Sequence, residues 1–99
     1  MSEITVRNRP QEHRYEVAVD GAVAGFAAYT LEGDVITFVH TEVDDAHEGQ
    51  GLGSVLARGA LDDVRATGTF RVRATCPFIA VWLRRHHDYH DLLASAPAS

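Results

Sequence analysis

Three glycines at alternate positions, Gly49, Gly51 and Gly53, stand in the run Glu48-Gly49-Gln50-Gly51-Leu52-Gly53-Ser54. Glycine lets a backbone turn tightly and leaves its N–H groups uncovered. At the start of a helix, such N–H groups and the helix dipole form a site for an anion. The anion that suits it is a phosphate or pyrophosphate on a cofactor. A P-loop is excluded, because no Gly-Lys-Ser/Thr follows. The dinucleotide fingerprint is nearly matched, with Ser54 in its third glycine position, but that loop belongs to a doubly wound domain longer than 99 residues allow. A loop that is only a turn is the bland alternative; three glycines would then weaken the helix start with no structural gain.

Other residues also have types suited to chemistry. His40 lies near the end of an apolar, β-branched run, and histidine is the side chain that changes charge near neutral pH. Glu42, two residues on, is a second candidate base. By strand alternation His40 and Glu42 share one face, and Thr41 and Val43 share the other. Cys76 precedes Pro77, which biases it toward an extended N-cap of the next helix; it reads either as a reactive thiol or as a small buried hydrophobe. His86 and His90 have metal-like i, i+4 spacing, but no third ligand is fixed, so a solvated helix end is preferred and no metal is expected.

The elements that must position these residues follow from periodicity and turn residues. Ile4-Thr5-Val6 reads as a strand ending near Pro10, and Arg14–Val19 alternates as a half-buried strand does. Asp20-Gly21 is a type I′ hairpin signal. A third strand runs from Ala22 to Leu31, and a fourth from Val35 to Val43 after the Glu32-Gly33-Asp34 turn. Connections this short make an antiparallel meander. Ser54 to Ala66 has helical spacing and stops at Gly68. Phe70 to Ala74 is a fifth strand, expected parallel to the fourth with the glycine-loop helix as its crossover. Pro77 opens a helix over Phe78 to about His86, with Phe78 and Trp82 read as core; Asp88 to Leu93 adds a further turn. Asp62 and Asp63 read as a solvated helix face. The fold class is α/β (α+β), mostly antiparallel, in the order ββββαβα. Residues 1–93 form one domain, and 94–99 form a flexible tail.

Composition narrows the function. The 45% apolar content suits a small globular core, and a net charge of −5 argues against a nucleic-acid partner. No apolar stretch approaches a membrane span, and the polar start lacks a signal core. The single cysteine excludes an internal disulfide framework. A cytoplasmic protein, monomeric or weakly dimeric, is the expectation.

The chain resembles the GCN5-related N-acetyltransferase superfamily, and within it the small GNAT-like proteins. The motif Arg/Gln-x-x-Gly-x-Gly/Ala falls on Glu48 to Gly53, between a fourth strand and a helix. His40-Thr41-Glu42-Val43, Gly49 to Gly53, Cys76-Pro77-Phe78 and His86-His87-Asp88-Tyr89 recur in the same order. The resemblance covers most of the chain. It implies acetyl-CoA as cofactor, with an amine acceptor or, in a competing class, a module that only binds or senses acetyl-CoA. It places the pyrophosphate on Gly49, Gln50, Gly51, Leu52, Gly53 and Ser54, and the pantetheine arm along Thr41, Glu42 and Val43. His40, Glu42 and Cys76 are the implied catalytic residues, Cys76 as acyl acceptor or as proton donor to the CoA sulfur. Two positions depart from the family: Glu48 replaces the usual Arg or Gln, and Leu83 falls where larger members carry a tyrosine acid.

Overall fold

A computed structural model of the chain describes residues 3–44 and 51–94. Four strands come first: β1 (Ile4–Arg9), β2 (Arg14–Val19), β3 (Ala22–Glu32) and β4 (Val35–Val43). Helix α1 (Leu52–Thr67), strand β5 (Arg71–Ala74) and helix α2 (Pro77–Arg85) follow, with short 3-10 turns at Pro10–Glu12 and His87–Leu92. The sheet order is β1-β2-β3-β4-β5, antiparallel except where β4 and β5 run parallel. This is the expected α/β class and order.

Local chemistry explains the boundaries. Asp20 and Gly21 both have positive φ, 51° and 86°, as a type I′ hairpin needs, and Val19 pairs with Ala22 across it. Helix α1 starts two residues before the expected Ser54. Gly51 takes the left-handed N-cap conformation (φ 74°), and the Leu52 side chain goes straight into the core. Helix α2 starts at Pro77 itself, with Cys76 as its extended N-cap.

Helix α1 lies across β1 to β4 and buries Leu52, Leu56, Ala57, Ala60, Leu61 and Val64. They pack with Val17, Ala27, Tyr29, Ile36, Phe38 and Val72 from the sheet and with Ile79, Trp82 and Leu83 from α2. Burial of these side chains removes apolar surface from water at about 25 cal/mol per Å². Asp62 and Asp63 do more than face solvent: they accept hydrogen bonds from the buried phenols of Tyr89 and Tyr15, the latter at 2.7 Å. Leu93 bridges to Val72, and the Ala94 N–H donates to the Val72 carbonyl at 2.7 Å, so the chain is tied to β5 up to Ala94. The rest of the expected tail lies outside the described residues, as do Gly49 and Gln50.

Candidate functional site

Two features of β4 shape the site. The first is a fork. Strand β5 pairs with β4 only from Val35↔Arg71 to Phe38↔Ala74. The N–H groups of Thr75 and Cys76 both donate to the Phe38 carbonyl at 3.0 Å, and there the chain turns away into α2. From Val39 to Val43, β4 keeps β3 on one edge and has no strand pairing on the other among the described residues. The second feature is a bulge. Tyr29 pairs with Phe38 but Ala28 pairs with His40, so Val39 is an extra residue in β4. Plain alternation from the buried Phe38 would turn His40 inward. The extra residue turns Thr41 and Val43 inward instead and leaves His40 and Glu42 on the face away from the helices.

On the helix side, a cleft of about 890 Å³ lies between the N-terminus of α1 and α2. Gly51, Leu52, Gly53 and Ser54 form one wall, and Pro77, Phe78, Val81, Trp82, Arg85 and His86 the other. Thr41 and Val43 of β4 line the same cleft. Among the described residues no side chain caps the α1 N-terminus. The first N–H groups of a helix have no intrahelical acceptor, so this wall presents donors to the cleft. The Leu52 side chain is buried, leaving only its main chain to offer. The Ser54 hydroxyl accepts the Trp82 indole N–H at 2.9 Å. Gly53 permits the closest approach: a Cβ there would stand 2.7 Å from Cζ of Phe78.

The wall formed by α2 differs from the sequence expectation. Trp82 is buried, but Phe78 is 43% exposed and lines the cleft rather than joining the core. Phe78, Val81, Trp82 and Arg85 occupy one helical face, and that face borders the cleft. Their spacing had the form of a core stripe running out into solvent, and spacing alone does not distinguish an open groove from a core.

On the other side of the sheet, His40 Nε2 lies 2.9 Å from Glu42 Oε2, with side chains 57% and 63% exposed. The His40 ring stands 6.0 Å from that of Phe26. Cys76 lies at the fork, 3% exposed, with its Sγ 3.3 Å from Oγ1 of Thr41. Thr41 lines the cleft and Cys76 does not. His86 Nδ1 and His90 Nε2 each sit 2.7 Å from a main-chain carbonyl, of Trp82 and Leu83. These rings are occupied at the helix end, and no group of three metal-ligating side chains occurs among the described residues. The Tyr15 and Tyr89 phenols are held above their ordinary pKa, first by burial and then by Asp63 and Asp62. Tyr29 is raised by burial as well. No described helix is long and apolar enough to cross a membrane.

A meander whose fourth and fifth strands part beside a helix N-terminus and a cleft defines an α/β protein with its candidate site at that fork. Residues 14–92 match the family model described as GCN5-related N-acetyl-transferase, and the chain belongs to that family. No curated protein matches it significantly. Among solved structures it is similar to a GCN5-like protein of Staphylococcus aureus, with a TM-score of 0.72 and 22% identity over 99% of this chain and 95% of that one. It is also similar to the ribosomal-protein-S18-alanine N-acetyltransferase of Escherichia coli, with a TM-score of 0.63 and 16% identity over 88% of this chain and 76% of that one. A ribosomal-protein-alanine N-acetyltransferase of Brucella melitensis gives a TM-score of 0.56 and 20% identity over 87% and 66%. Likeness at these identities is a likeness of fold.

Proposed function

We propose that this protein binds acetyl-CoA in the cleft and transfers its acetyl group to an amine that arrives from the opposite face of the sheet. The observation that carries the reading is the fork in β4, with donors of a helix N-terminus on one side and a His–Glu pair on the other. In this reading the amides of Gly51 to Ser54, with Gly49 and Gln50, hold the pyrophosphate. The main chain of Thr41 to Val43 runs beside the pantetheine arm. The apolar faces of Phe78 and Val81, left uncovered by protein, flank it.

His40, oriented by Glu42, takes a proton from the incoming ammonium or amine. The nitrogen attacks the thioester carbonyl, the N–C bond forms, and the carbonyl electrons move onto oxygen. In this reading a main-chain N–H of the strand stabilises that oxyanion. Collapse breaks the C–S bond. The departing thiolate takes a proton from Cys76 through the Thr41 hydroxyl, and the further proton that an ammonium nitrogen sheds on becoming the amide restores the Cys76 thiol. Burial at 3% exposure favours this donor role for Cys76 over that of acyl acceptor, because an acceptor must meet the thioester directly. The single cysteine suits a reducing, cytoplasmic setting.

One observation favours a second reading, a module that binds acetyl-CoA without turnover. All three tyrosines are bonded away from the cleft, Tyr15 to Asp63, Tyr29 to Asn8 and Tyr89 to Asp62, so no phenol serves as the acid. Calorimetry with acetyl-CoA, followed by CoA release over a panel of primary amines, separates the readings. Multiple turnovers that fall about a hundredfold in His40→Ala, with acetyl-CoA affinity kept, support the enzyme. Saturable binding with no turnover for any amine supports the binding module. No binding refutes both.

A further inference from the structure

The described walls of the cleft are apolar side chains, main chain and the hydroxyls of Thr41 and Ser54 except at one end. Among the twelve described residues that line it, Arg85 alone carries a fixed positive charge and none is a carboxylate. The other arginines with described partners are committed elsewhere. Arg9 and Arg14 pair with Glu12 and Glu16. Arg58 donates to Tyr89, Arg65 pairs with Asp91, and Arg71 donates to the Asp91 carbonyl. Arg85 has no ion pair or side-chain hydrogen bond among the described residues, in a chain whose net charge is −5. It stands in the last turn of α2, one turn beyond Val81 on the face that borders the cleft.

We propose that Arg85 holds a phosphate of the cofactor's nucleotide and so makes the cleft prefer acetyl-CoA to the same thioester without its nucleotide. The inference rests on the reading of the cleft as the acetyl-CoA site and adds a specificity-determining residue to it. Guanidinium matches phosphate with paired N–H donors, and a charge-assisted contact of this kind is about twice as strong as a neutral one. Arg85 supplies the side-chain cation that the glycine loop lacks, since the family's usual Arg or Gln is Glu48 here. Arg84 provides an internal control: it is the adjacent arginine, it is exposed, and it does not line the cleft.

The test compares acetyl-CoA, 3′-dephospho-acetyl-CoA and S-acetylpantetheine as ligands of wild type, Arg85→Gln and Arg84→Gln. Arg85→Gln is expected to weaken acetyl-CoA about tenfold, leave S-acetylpantetheine within twofold, and flatten the salt dependence of binding. Arg84→Gln is expected to change none of these. If 3′-dephospho-acetyl-CoA already binds wild type as weakly as acetyl-CoA binds Arg85→Gln, the contact is to the 3′-phosphate. If it binds wild type as acetyl-CoA does and loses tenfold in the variant, the contact is to the pyrophosphate. Acetyl-CoA binding equal in wild type and Arg85→Gln overturns the inference alone. An equal loss for acetyl-CoA and S-acetylpantetheine overturns it in favour of a structural role. Wild type that binds no acetyl-CoA overturns it together with the reading of the cleft.

Discussion

Gly53→Ala should separate stability from binding, because the new methyl meets one movable side chain at the mouth of the cleft. A Cβ on Gly53 would lie 2.7 Å from Phe78 Cζ, 3.3 Å from Cε1 and 3.4 Å from Cε2. All three atoms belong to the far end of one ring that is 43% exposed, so the ring can swing outward. Alanine is better than glycine in a helix by up to about 1 kcal/mol, and less at this first turn. Moving a half-exposed ring costs a similar amount. The net change in unfolding free energy should stay within about 1 kcal/mol, or roughly 4–8 °C in Tm for a domain of this size. Binding should respond differently. The methyl and the displaced ring both intrude where donors of α1 face the cleft, so acetyl-CoA affinity should fall about tenfold. Gly59→Ala is the contrast. Its Cβ would meet Cβ, Cγ2 and Cγ1 of Val6 at 2.7, 2.8 and 2.9 Å. A β-branched side chain on a strand has no rotamer that clears all three contacts, so this change should cost about 1–3 kcal/mol and leave affinity alone. Circular-dichroism melts and calorimetry of both variants decide the matter. A loss of more than about 2 kcal/mol in Gly53→Ala, or unchanged affinity, refutes the argument that Phe78 yields into the cleft.

Stability should fall in alkali. The folded phenols of Tyr15, Tyr29 and Tyr89 have pKa values above the ordinary 10.0. Above pH 10 the unfolded chain therefore holds fewer protons than the folded one, so unfolding free energy declines as pH rises. The full contribution is present below pH 10; denaturant titrations from pH 8 to 11 should show the loss, and a flat profile would contradict it. Tyr15→Phe should shallow that slope and cost about 1 kcal/mol near neutral pH through the lost bond to Asp63, read from urea midpoints. Cys76→Ala should keep acetyl-CoA affinity within about twofold and lower kcat roughly a hundredfold, as loss of a proton donor does. Unchanged turnover in that variant removes Cys76 from the mechanism.

Much of this protein was legible in the residues because its signals are local. The alternating runs, the Asp20-Gly21 hairpin, the Gly68 stop and the Pro77 start each act within a few residues. They settled the element order and type, and the predicted bounds of β2 and β4 hold to the residue. Shorter-range misreadings came from treating apolar spacing as core. Phe78 and Val81 have the spacing of buried residues, and only the position of α1 opposite them makes that face a cleft wall. Asp62 and Asp63 are exposed, as expected of a solvated helix face, and the tyrosines brought over them from β2 and the final 3-10 turn give them partners besides.

The relative placement of His40, Glu42, Thr41 and Val43 was written in strand alternation. Which pair faces the cleft was not. Counting from the buried Phe38 would put His40 inside. The extra residue at Val39 reverses this, and it exists only in the pairing of β4 against β3. A bulge is a mismatch between two strands, and neither strand's own sequence records it. The sequence by itself therefore determined the elements and the residue types they carry. The tertiary pairing decided which side of the sheet each group serves.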